Sequence, residues 1–121
     1  MTTTAKSRIS AKRVLVVEDE YLVAMDMSAW LEAEGAHVVG PASNVNAALE
    51  ALKGAELDGA ILDVNLRGEM AYPIADALAA RGIPFVFTTG YDARTVPARF
   101  ANVKRCEKPT TPEAIGRALF G

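Results

Sequence analysis

The sequence predicts one α/β domain: a doubly wound, five-stranded parallel sheet in a three-layer α/β/α sandwich. Three observations lead there. Short β-branched runs alternate with stretches of helical period from Arg13 to the end. Glycine or proline marks most changes of pattern. The chain has 121 residues, half of them apolar, which is room for one packed core and little else.

The elements follow in order. Residues 14–17 (Val-Leu-Val-Val) read as a buried strand. Residues 21–34 put Val23, Met27, Trp30 and Leu31 on one helical face, and Gly35 stops that helix. Residues 37–39 make a second strand. Val45, Ala48, Leu49 and Leu52 form the stripe of a second helix, capped by Asn44 or Ser43. Residues 59–62 form a third strand. Ala71, Ile74, Ala75 and Leu78 mark a third helix, with Pro73 in its first turn and Gly82 beyond its end. Residues 85–87 are a fourth strand, and 103–106 a weaker fifth. The last helix opens with Thr111 as N-cap, Pro112 at the first position and Glu113 in the first turn. Strands alternating with helices in this way call for a parallel sheet covered on both faces.

Composition narrows the function. Thirteen basic and fifteen acidic residues give a net charge of −2, which argues against nucleic acid as the main partner. The apolar runs are strand-sized, so no membrane span is expected. No charged-then-apolar leader opens the chain, and a single cysteine fits a reducing cytosol. A cytoplasmic protein, monomeric or weakly dimeric, is expected. The first twelve residues are polar and read as a loose tail before a domain at 13–121. Lys6, Arg8, Lys12 and Arg13 there either touch an acidic partner or simply solvate the tail.

In such sheets ligands bind beyond the carboxyl ends of the strands. Strand 1 ends in Glu18-Asp19, strand 3 in Asp63, strand 4 in Thr88-Thr89, and strand 5 in Glu107-Lys108. Strand 2 ends in Gly40-Pro41, which offers no functional side chain. Three carboxylates converging on one rim repel unless a cation sits among them. Neutralising Glu18 and Asp19 is therefore expected to relieve crowding. Magnesium suits such a rim, being a hard ion held by few carboxylates and by phosphate oxygens. Glu18, Asp19 and Asp63 supply side-chain oxygens, and the chain near Asn65 a backbone carbonyl.

Asp63 stands alone at the end of a central strand, which makes it the candidate nucleophile for an acyl phosphate. Lys108 and the Thr89 hydroxyl would meet the phosphoryl charge from the sides magnesium does not. Each residue also has a plainer reading. Asp63 could be a turn former, Glu18-Asp19 a helix-start pair, Thr89-Gly90 a turn and Lys108 a solvated charge. Joint placement at four strand ends favours the chemical reading.

The strings Val-Val-Glu-Asp-Glu at 16–20 and Leu-Asp-Val-Asn-Leu at 62–66, with Thr89 and Lys108-Pro109, resemble the receiver domains of bacterial response regulators. The resemblance implies a flavodoxin-like strand order 2-1-3-4-5 and phosphotransfer from a sensor histidine kinase or a phosphotransfer protein. It implies slow self-dephosphorylation and no other catalysis. It also implies roles: Asp63 as phosphoacceptor, Glu18 and Asp19 as Mg2+ (or Mn2+) ligands, Thr89 and Lys108 as switch and anchor. Residues 84–91, Pro-Phe-Val-Phe-Thr-Thr-Gly-Tyr, are similar to the Phe-Ala-Thr-Gly-Tyr branch, often single-domain receivers paired with HWE-class kinases. Thr88 stands where that branch usually has Ala, and Thr110 where many receivers have Phe. Neither change is expected to touch the phosphorylation chemistry. No output domain is expected after Gly121, so the module would bind a target, shuttle phosphoryl groups or drain them.

Rival readings fare worse. A phosphatase of the haloacid dehalogenase kind wants a second Asp at position 65, which is Asn. A flavin-binding fold wants a Ser/Thr/Gly run after strand 1, which here is acidic. A receiver-like interaction module without phosphorylation would not need all five site positions filled with competent residues.

The way the signal leaves is less standard. In many receivers an aromatic three residues before the lysine rotates inward; here that position is Arg105. Tyr91 is the nearest aromatic and is expected to take over. Residues 92–102 read as a poor helix, because Thr95 and Val96 are β-branched and Val96 precedes Pro97. A fourth helix that is short or mobile before activation, and ordered by phosphorylation or by a partner, is expected; the plainer reading is a static loop with Tyr91 packed on the sheet edge. His37 and Trp30 read as structural, and Cys106 as a buried small hydrophobe.

Overall fold

In the computed structural model, which describes residues 8–90 and 96–121, five strands pair in parallel. They are β1 (Arg13–Val17), β2 (His37–Ala42), β3 (Gly59–Asp63), β4 (Phe85–Thr89) and β5 (Arg105–Glu107), in the order 2-1-3-4-5. Helices α1 (Tyr21–Ala33), α2 (Val45–Lys53), α3 (Tyr72–Ala80) and α4 (Pro112–Phe120) complete a flavodoxin-like sandwich.

The two faces of the sheet sort the side chains. Leu15, Val17, Leu62 and Phe87 meet α2 and α3 on one side. Val14, Val16, Ile61 and Val86 meet α1 and α4 on the other. No residue from Val14 to Val17, nor from Ala60 to Leu62, is more than 1% exposed. This is why β1 and β3 are continuous apolar runs rather than alternating ones. Burial on that scale contributes roughly 1.5–3 kcal/mol per large side chain.

Local signals set the helix ends. Asn44, not Ser43, caps α2, its Oδ1 accepting from Ala47 N at 2.8 Å. Thr111 Oγ1 accepts from Ala114 N at 3.1 Å, with Pro112 opening α4. Satisfied N-terminal donors of this kind contribute about 1 kcal/mol each.

Three features depart from expectation, and a fourth, a short element in the 92–102 region, agrees with it. The loose tail does not extend through residues 8–12: Ile9 is fully buried among Val14, Val16 and Leu31, and Ala11 N donates to Gly35 O. One large apolar residue among residues 8–12 carries no period, so its burial was not visible. β2 runs on to Ala42 through a bulge opposite β1. Gly40 permits this at φ 94°, where a Cβ would lie 2.9 Å from Ala42 N. A two-residue hairpin, Asn65–Leu66 with Glu69–Met70, follows β3. In the 92–102 region the described residues hold one 3-10 turn, Ala98–Phe100. Phe100 anchors it, stacked on Tyr72 at 5.6 Å and edge-on to Phe87 at 5.7 Å. Tyr91 lies outside the described residues.

Candidate phosphoacceptor site

Parallel strands deliver their carboxyl ends to one rim, and the polar residues there meet. A cavity of about 330 Å³ is lined by Asp19, Asp63, Asn65, Arg67, Thr89 and Lys108, among others. Glu18 does not line it; 1% exposed, it lies behind, against Lys108. Oxygens of Glu18, Asp19 and Asp63 lie within 4.8 Å of one another. The sequence thus predicted which acids gather.

Among the described residues, positive charge comes from two side chains. Lys108 Nζ sits 2.7 Å from Glu18 Oε1 and 3.0 Å from Asp63 Oδ2. Arg67 Nε donates to Asp19 Oδ2 at 3.2 Å. The three carboxylates are therefore compensated from within the chain, and the expected crowding is smaller than the sequence implies. Lys108 is held in place by its own N–H, which donates to Thr89 O at 2.8 Å.

Burial pushes the Asp63 carboxyl up, and the Glu18 charge adds to it. Lys108 pulls the other way, and the outcome is about 7. Burial alone would pull Lys108 down, but its hydrogen bonds to Glu18 and Asp63 win and raise it. Near neutrality Asp63 therefore sits between a charged acceptor and a protonated acid. A cation or a better-placed Lys108 shifts it towards the nucleophilic form.

Plainer roles coexist with this one. Glu18 Oε2 accepts from Glu20 N at 3.1 Å at the start of α1, and Asp63 Oδ1 accepts from Asn65 N at 3.4 Å. Both are local turn contacts. They leave Glu18 Oε1 and Asp63 Oδ2, the oxygens that Lys108 engages.

The donors suit magnesium. All are hard carboxylate oxygens, two of them beside a cavity large enough for phosphate oxygens and water and the third, Glu18, buried behind it. Asn65 joins the rim, where the hairpin turns: its Oδ1 accepts from Gly68 N at 2.5 Å. Arg105 does not. It is exposed on β5, in register with Phe87. His37 opens edge strand β2, exposed and away from the carboxyl-end rim. Cys106 is half-buried, and burial raises its thiol pKa. Arg67 was missed from sequence; the only local hint is the Asn65–Gly68 turn that aims it.

A family model described as the response regulator receiver domain matches residues 14–115. The chain belongs to that family. SdrG from Sphingomonas melonis Fr1 has a similar solved structure: 43% identity, 93% of this chain, 95% of that one, TM-score 0.79. The BeF3-activated conformation of SdrG from Pseudomonas melonis Fr1 is 42% identical, covering 91% of this chain and 94% of that one, TM-score 0.74. The phyllosphere-induced regulator PhyR of Methylorubrum extorquens is 32% identical over 91% of this chain, and 44% of its own length is covered. The transcriptional regulatory protein PdtaR of Mycobacterium tuberculosis is 33% identical over 73% of this chain and 43% of its own. The chain thus spans less than half the length of PhyR and of PdtaR. Among the described residues, no helix of this receiver domain is long and apolar enough to cross a membrane.

Proposed function

We propose that this receiver domain is a phosphorylation switch whose Asp63 accepts a phosphoryl group from a sensor histidine kinase. One observation carries the reading: Asp63 Oδ2 faces both the Lys108 ammonium and a cavity that Thr89 also lines. In the transfer, Asp63 Oδ2 bonds to phosphorus as the phosphorus–nitrogen bond of phosphohistidine breaks, its electron pair leaving with the imidazole.

This chain's residues divide the work. Asp63 is the nucleophile, freed when Lys108 turns to a phosphoryl oxygen. Thr89 meets a second oxygen with its hydroxyl. Glu18, Asp19, Asp63 and the Asn65 carbonyl would hold Mg2+ or Mn2+. That ion would neutralise charge on the transferring group. The 84–91 motif, and SdrG and PhyR as relatives, support an HWE-class kinase as the donor. The phosphorylated form would then alter binding to a protein target in the cytoplasm.

The test is intact mass after incubation with acetyl phosphate and magnesium. The wild type should gain one phosphoryl group and Asp63→Asn none, with unchanged fold by circular dichroism. An Asn variant that gains it at the wild-type level would sink the assignment.

A further inference from the structure

Thr88 is 1% exposed, and its hydroxyl has no hydrogen-bond partner among the described residues. A hydroxyl held dry and unpaired costs folding free energy, so an arrangement that gives it a partner is favoured.

Register shows what surrounds it. Asp63 on β3 and Cys106 on β5 are its direct neighbours. Paired residues of parallel strands point to the same face, here the one carrying Ile61 and Val86. Lys108 leaves the end of β5 two residues after Cys106. Its ammonium nonetheless reaches Asp63 on β3 and Glu18 after β1. Its side chain must therefore cross the carboxyl end of β4, where Thr88 is the residue on that face.

We propose that Thr88 is a positioning residue for Lys108: its hydroxyl accepts a hydrogen bond when the ammonium turns from the carboxylates to a phosphoryl group. This rests on Asp63 being the phosphoacceptor. An ammonium has three donors. Two are now engaged by Glu18 and Asp63. Once Asp63 is phosphorylated, and with Glu18 free to hold a cation, both acceptors would change, and the Thr88 hydroxyl is an unpaired oxygen on the strand the lysine crosses. No proton is transferred; Lys108 stays an ammonium and Thr88 an alcohol. The departure from Ala at this position then bears on phosphorylation after all, tuning its rate.

Thr88→Val is nearly isosteric and lacks the hydroxyl, while Thr88→Ser keeps it. Three measurements decide: melting temperature without divalent cations, the initial rate of phosphoryl-mass gain with acetyl phosphate and magnesium, and the Lys108 ammonium resonance with beryllofluoride bound. The Val variant should melt a few degrees higher, because a lone buried hydroxyl is gone. It should be phosphorylated about three- to tenfold more slowly, the net worth of one ordinary hydrogen bond. Ser should restore the rate to within about twofold and the resonance to its wild-type position. A Val variant at the wild-type rate, a Ser variant as slow as Val, or a Val variant that melts lower would each overturn the proposal. A wild type that gains no phosphoryl mass overturns the phosphoacceptor reading itself, and this inference with it.

Discussion

Arg67 holds Asp19 across 3.2 Å from a residue 48 positions away, and it does so from a left-handed backbone, φ 56°. Few residues other than glycine take that conformation willingly. The guanidinium thus claims a carboxylate that a divalent cation also needs.

Removing the competitor should favour the cation. Arg67 is exposed while the Asp19 side chain is 11% exposed, so solvent screens the bridge from the arginine's side and it is worth about 1 kcal/mol. We expect Arg67→Gln to tighten magnesium binding by about two- to fivefold, by titration calorimetry at low salt. The gain should shrink in high salt. Unchanged or weaker affinity would mean Arg67 helps the ion to bind.

The Asp63 carboxyl makes stability pH-dependent. Its pKa in the fold is about 7, against 3.8 for an unperturbed group. Between those values the folded state binds more protons than the unfolded one, so stability falls as pH rises through the window. Without magnesium the melting temperature should drop from pH 5 to pH 8. Asp63→Asn should flatten that slope. A wild type whose stability rises over the same range would contradict the raised value.

Glu18 behaves differently from what its acidic neighbours alone suggest. It is buried against Lys108 at 2.7 Å, so neutralising it strips a partner from a half-buried ammonium. Breaking such a pair from one side costs about 1–3 kcal/mol or more. Glu18→Gln should therefore melt lower than wild type without magnesium, by urea or heat. A variant as stable as wild type would restore the simple picture of acids relieved of crowding.

What could be read in advance was local or periodic. The Val14–Val17 run, the Asn44 and Thr111 caps and the acids at strand ends each announce themselves within a few residues. What could not be read was set by pairing at a distance. Arg67 reaches Asp19 only because the hairpin after β3 turns back, and Thr88 matters only because Lys108 crosses β4. β2 looked finished at Gly40-Pro41, since both residues usually end strands. A bulge on an edge strand accommodates them instead. Tyr91 is not among the described residues, so its expected role in output stays a proposal.

The segment after β4 offers the last prediction. Val96 and Phe100 are buried, and Phe100 packs on Tyr72 of α3 and on Phe85 and Phe87 of β4. A three-residue 3-10 turn has too few hydrogen bonds to hold itself, so these rings must hold it. Phe100→Ala should cost about 3–5 kcal/mol in urea unfolding. Phe87 lies two residues before Thr89 on the same strand face, so a moving Thr89 would press on this cluster. Phosphorylation should therefore change amide exchange across residues 96–103 in the wild type. In a Phe100→Leu variant, which keeps bulk but loses the stacking, that change should be reduced. Equal protection with and without phosphorylation in the wild type would show that the signal leaves by another face.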